Sequence, residues 1–154
     1  MIEQLIETWQ INNRINRYLL EAIPAEALPD KAGGKGRSVG EQFAHLHKTR
    51  LMWLKVAAPE LLASQPTLEE EASGNPAALA EALEASAHAI SEMVRTALEL
   101  GKNVKGFKPH PTAFIGYLIA HESHHRGQIA LTLKTNGHPL DKKTSYGMWE
   151  WGVR

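Results

Sequence analysis

The sequence predicts an all-α fold: a four-helix bundle whose second and third helices are joined by a connection long enough to cross it. Apolar residues recur at helical spacing in four stretches of roughly twenty residues. Each stretch is bounded by proline, glycine or a capping residue. No segment alternates apolar and polar residues as a half-buried strand does, so no strand is expected.

The first segment runs from about Ile2 to Glu21, with Ile2, Leu5, Ile6, Trp9, Ile15, Leu19 and Leu20 as its apolar stripe. Ile23 to Arg37 reads as loop, because Pro24, Pro29 and Gly33-Gly34 break any longer helix. The second segment starts at Ser38-Val39-Gly40-Glu41, a capping box in which serine and glutamate satisfy orphan N–H groups. It continues to about Ala57, before Pro59 discourages extension. Ala58 to Asn75 reads as a long connection with one turn around Glu60-Leu61-Leu62. Fully extended it reaches ~60 Å at ~3.3 Å per residue, enough to cross a bundle of helices ~30 Å long. Periodicity does not choose that topology over plain up-down-up-down packing.

Asn75 as cap and Pro76 at the first helical position open the third segment, which carries Leu79, Leu83, Ala87, Ile90, Met93, Val94, Ala97 and Leu98 and stops at Gly101. The fourth starts near Pro111 or Thr112 and ends at Asn136-Gly137, a pair suited to a left-handed C-terminal cap. Leu140 to Arg154 reads as an irregular tail. Its Tyr146, Trp149 and Trp151 carry too much aromatic area to be freely solvated, so it is expected to pack over the bundle or a partner subunit.

A single domain over residues 1–154 is expected, since a chain of this length buries ~70% of its unfolded surface without metal or disulfide. The 43% hydrophobic and 22% charged content is that of a soluble globular protein. With 17 basic and 17 acidic residues there is no electrostatic footprint for nucleic acid or anionic lipid. The absence of cysteine excludes disulfides, thiolate ligands and a cysteine nucleophile, so any thiol chemistry needs sulfur from a substrate or cofactor. The N-terminal Met1–Glu7 is acidic and amphipathic, unlike a signal peptide, and no apolar run approaches the ~20 residues of a membrane span. A cytoplasmic protein without membrane contact is expected.

The chemistry concentrates in the run His121-Glu122-Ser123-His124-His125-Arg126-Gly127-Gln128. His121 and His125 stand one helical turn apart on one face, with β-carbons about 5–6 Å from each other, so two imidazoles can share one ion. At ~100° per residue, Phe114, Tyr117, Leu118, His121, His125, Gln128 and Thr132 fall in one stripe, apolar at its start and polar afterwards. Buried polar groups need partners, and an ion with bound water supplies them. His45 on the second segment can bring a third imidazole, with Gln42, Thr49 and Met52 on its face. An all-histidine site suits zinc, nickel or a similar divalent metal, and three protein ligands leave one position open. His124 sits off the stripe, at its rim. His47, His88, His110 and His138 read as surface residues.

His121-Glu122-Ser123-His124-His125 also fits the short zincin pattern in which glutamate is the general base, with Glu150 as a downstream third ligand. The extended pattern fails, and no strand is present to hold a peptide, so a metalloprotease is set aside. Gly116, Ala120, Ser123 and Gly127 make a stripe of small residues that suits either a tight internal crossing or a subunit seam.

His45, the His121-x-x-x-His125-Arg126-Gly127-Gln128 signature and the Tyr-Gly-x-Trp-Glu-Trp ending at Tyr146–Trp151 resemble the DinB/YfiT-like superfamily of metalloenzymes, which is unrelated to the polymerase of similar name. The resemblance spans most of the chain. It implies a four-helix bundle with a crossover, a homodimer, and one divalent metal held by three histidines, by position His45, His121 and His125. Characterised relatives include transferases and isomerases that use low-molecular-weight thiols. The expectation is a metal-dependent transferase or hydrolase acting on a small molecule, such as a low-molecular-weight thiol. Gln128 or Thr132 would orient a metal-bound water, and Glu122, His124 and Arg126 are further candidates for catalytic or substrate contacts. The alternative is a non-catalytic metal-binding or stress-response helical dimer.

Overall fold

Four long helices form where capping and periodicity place them in the computed structural model, which describes residues Met1–Arg154: α1 (Ile2–Glu21), α2 (Val39–Ala57), α3 (Pro76–Glu99) and α4 (Pro111–Thr135). Ser38 Oγ accepts from Glu41 N–H, and the Glu41 carboxylate accepts from Ser38 N–H at 2.6 Å, closing the capping box of α2. The Asn75 side chain caps α3 by accepting from Ala78 N–H. α4 uses the exposed His110, whose Nδ1 accepts from Ala113 N–H at 3.1 Å.

Residue pairings fix the helix directions. Glu3 pairs with Arg95, and Trp9 Nε1 donates to the Ala87 carbonyl, so α1 and α3 are antiparallel. Gln42 meets His125 while Trp53 meets Phe114, which sets α2 antiparallel to α4. Leu79 and Leu83 cluster with Val39, Phe43 and Leu46, whereas Val94 and Ala97 cluster with Leu54 and Ala58. Hence α2 and α3 point the same way, and the chain between them returns along α2. On its way the Pro66 carbonyl lies 2.9 Å from His47 Nε2. Further on, Gly40 admits the Ser73 carbonyl into space that a β-carbon would fill.

The two apolar clusters occupy opposite ends of the bundle, and a buried polar layer separates them. At its centre the fully buried Arg50 meets Glu122, with Nε 2.7 Å from Oε1 and Nη2 2.9 Å from Oε2. Asn12 and Asn16 of α1 each donate to Glu122 Oε2 at 2.7 Å, and their carbonyl oxygens accept from Arg126. Arg50 Nη1 also reaches Asn13, the Leu83 carbonyl and Ser86, so all four helices meet in one network.

The fold corrects the sequence reading at several places. A short antiparallel hairpin, β1 (Lys31–Ala32) and β2 (Lys35–Ser38), stands where no strand was expected. Gly33 and Gly34 both take positive φ, the geometry of a two-residue hairpin turn, and strands this short carry no alternation to read. The tail is not irregular throughout. Asp141 accepts from Thr144 N–H at 2.7 Å and caps α5 (Lys142–Gly147). α5 packs on Tyr18, over whose ring the Arg154 guanidinium lies at 3.7 Å. Nevertheless Trp149 remains 78% exposed, so a single chain does not bury the aromatic tail. His47, expected on the surface, is fully buried because the returning connection covers that side of α2. No helix is long and apolar enough to cross a membrane.

Candidate metal centre

His45 comes from α2, and His121 with His125 from the facing α4, at the level of the polar layer. Antiparallel packing of the two helices brings together residues that lie far apart in sequence. One ring nitrogen from each histidine lies within 4.8 Å of the others. Ring centroids are 5.3 Å apart for His45 and His121, 4.8 Å for His45 and His125, and 4.7 Å for His121 and His125. His125 is buried, and the other two are half-buried at a cleft.

The donor set fits a divalent ion. Three imidazoles without a carboxylate or thiolate match borderline divalent metals such as zinc or nickel. His121 Nδ1 is buried without a hydrogen-bond partner in the protein, which is compatible with a role in binding an ion. Gln42 Oε1 accepts from His125 Nδ1 at 3.2 Å, which fixes the tautomer and leaves Nε2 as the free donor. All three pKa values lie below the ordinary histidine value, chiefly through burial. Arg37 and His121 add to this at His45, and His124 and Arg37 at His121. At His125, burial together with repulsion from His121, His45 and His124 lowers the value to about 4. Imidazoles so disposed stay neutral, as coordination requires.

The other candidates divide. His124 is exposed, its ring centroid 5.3 Å from that of His125, at the rim. Gln128 is exposed and lines a cavity of about 390 Å³ that also takes in Gln42, Arg37 and Thr132. Thr132 and Thr49 are buried, whereas Met52 is 55% exposed and Tyr117 41%. Glu122 points away from the histidines into the Arg50 network, and Arg126 joins that network through Asn12 and Asn16. Glu150 pairs at 3.8 Å with Arg154 in the tail.

Arg37 was missed on sequence. It sits on the hairpin beside His45, and only the unread strands would have placed it there. Arg50 was missed too, because an arginine inside an apolar stripe gives no sign of the carboxylate that will neutralise it.

A family model described as the DinB family matches residues 1–149. No curated protein and no solved structure matches the chain.

Proposed function

The chain belongs to the DinB family, and on that basis we propose that it is a divalent-metal-dependent enzyme, a transferase or hydrolase for small molecules, with His45, His121 and His125 as metal ligands. The observation that carries the reading is the convergence of three imidazole nitrogens within 4.8 Å, from two helices, beside an open cleft. When bound, such an ion supplies Lewis acidity and a coordination position for water or a small thiol. Gln42 orients the His125 ring, and Gln128 and His124 stand at the rim, where a substrate would pass. Zinc and nickel are the metals best matched to the donor set. Thiol transfer ranks above hydrolysis on family resemblance, and a small thiol is the proposed co-substrate.

Elemental analysis of untagged protein is expected to find one zinc or nickel per chain, lost in His121→Ala. Metal-loaded protein is then mixed with a small thiol and an electrophile, and separately with an ester. Turnover above that of His45→Ala supports an enzyme. Stoichiometric metal without turnover selects the non-catalytic metal-binding protein, and absence of metal removes both readings.

We further propose a homodimer. Gly116, Ala120, Ser123 and Gly127 form an exposed face of α4, and a β-carbon added at Gly116 or Gly127 would meet nothing within 4 Å. The internal crossing that small residues also suit is therefore absent, and exposed Trp149 and Trp151 extend the same face. Gly127→Glu is expected to sediment as a monomer if wild type is a dimer.

A further inference from the structure

A cavity of about 470 Å³ opens beside the histidine cluster, with His45 in its wall. Three cationic side chains line it: Lys31 and Arg37 from the hairpin and Lys48 from α2. None of them forms a hydrogen bond or ion pair through its side chain, although Arg50, Arg95 and Arg126 elsewhere in the chain do so. Arg37 also lines the neighbouring cavity that contains Gln42, the partner of His125. It therefore stands between the two openings that flank the metal centre, and its charge bears on all three imidazoles.

The acidic residues of the same cavity narrow the choice of ligand. Glu41 is held by Ser38 N–H in the helix cap. Glu69 and Glu70, from the returning connection, carry free carboxylates that repel a multiply charged phosphate. A single carboxylate, by contrast, matches the planar two-pronged guanidinium and leaves the acids free to meet a cationic or polar part of the ligand.

We propose that this cleft selects small ligands bearing a carboxylate, which Arg37 receives with Lys48 and Lys31 beside it, while the ligand's other end faces the histidines. The assignment rests on reading the histidines as a metal centre. It makes the hairpin, which contributes nothing to the apolar core, the element that determines specificity.

The test uses cobalt-loaded full-length protein, whose visible spectrum reports what reaches the metal. It is titrated with 3-mercaptopropionate and with 2-mercaptoethanol, which share a thiol and differ in the carboxylate. At low salt the acid should bind about tenfold more tightly, equivalent to ~1.4 kcal/mol. That preference should shrink at ~1 M salt, where the screening length is ~3 Å. Arg37→Ala should remove the preference while leaving cobalt stoichiometry and 2-mercaptoethanol affinity unchanged. Equal affinities for the two thiols, or a preference that survives Arg37→Ala, overturn the proposal and leave the metal reading standing. Should cobalt not bind, or should neither thiol alter its spectrum, the metal or thiol reading fails instead. Succinate titration followed by NMR at the Arg37 guanidinium then decides: a saturable shift, lost in Arg37→Ala, sustains the carboxylate site, and no shift overturns it.

Discussion

Substituting Glu122→Gln neutralises a buried carboxylate that accepts four hydrogen bonds, from Arg50 Nε and Nη2 and from the Asn12 and Asn16 amides. The new amide keeps one acceptor oxygen but turns an NH₂ group toward donors: one contact becomes donor against donor if the NH₂ replaces Oε1, and three if it replaces Oε2. Arg50, fully buried, loses its only carboxylate partner. Hydrogen bonds to charged groups contribute ~1.5–3 kcal/mol each, and removing one member of a buried ion pair costs ~3–5 kcal/mol. Because domains of this size are stable by ~5–15 kcal/mol, that is a large fraction of the total. At ~2–4 °C per kcal/mol the melting temperature should fall by ~6–20 °C. Urea denaturation of metal-free protein, followed by circular dichroism, measures the loss. The double variant Arg50→Met/Glu122→Leu should recover much of it, since a packed apolar pair removes both charges together. A loss under ~1 kcal/mol for Glu122→Gln would refute the reasoning. A general base at Glu122 predicts the opposite pattern, intact stability with lost turnover.

The pH dependence of that difference has a definite sign. Burial alone raises the Glu122 pKa, but the Arg50 charge and the bonds from Arg50, Asn16 and Asn12 outweigh it and hold the carboxyl below its ordinary value. A group depressed on folding contributes stability above its unfolded pKa, here ~4.3, and loses it as pH falls through the folded value. The gap between wild type and Glu122→Gln should therefore be constant from neutrality to about pH 5 and narrow in stronger acid.

Three other perturbations have defined outcomes. Gln42→Ala frees the His125 ring and should weaken zinc binding by roughly 10–100-fold in chelator competition, with the fold intact by circular dichroism. Zinc affinity should be nearly flat from about pH 8 to ~6.5 and decline below, because burial and mutual repulsion keep the imidazoles neutral past their ordinary range. A steep fall already above that range would count against the site. Gly40→Ala drives a β-carbon into the Ser73 carbonyl and should cost about 1–3 kcal/mol in urea denaturation, whereas Gly127→Ala, which lies inside α4 and meets nothing, should raise monomer stability by up to ~1 kcal/mol through helix propensity.

What the sequence disclosed and what it hid have separate physical causes. Helix boundaries were legible because caps and prolines act locally: Ser38 with Glu41, and Asn75 with Pro76, form the bonds their spacing implies. His121 and His125 could be paired because a helix fixes their separation. His47 was misread because its burial depends on the Pro66 segment, some twenty residues on, folding back over it. The hairpin escaped because its information lies in two glycines rather than in any periodicity. The roles of Asn12, Asn13, Asn16 and Arg50 were not legible, since no local pattern shows that four helices will pool their polar residues in one plane.

That plane explains how a site can be built on adjacent residues of α4. His121 and Glu122 differ by ~100° around the helix, so one faces the α2 histidine while the other enters the network shared with α1 and α3. The network holds α4 at a fixed height and rotation against α2, because Arg50 and His45 lie on the same helix and contact neighbouring positions of α4. Sliding α4 by one turn would place its histidines ~5.4 Å from register and strand two buried charges, so the ion pair guards the geometry of the imidazoles. A buried pair that adds little net stability over an apolar substitute can still select one packing arrangement. If it does so here, the stable Arg50→Met/Glu122→Leu variant should bind zinc more weakly than wild type, even though His45, His121 and His125 are all retained.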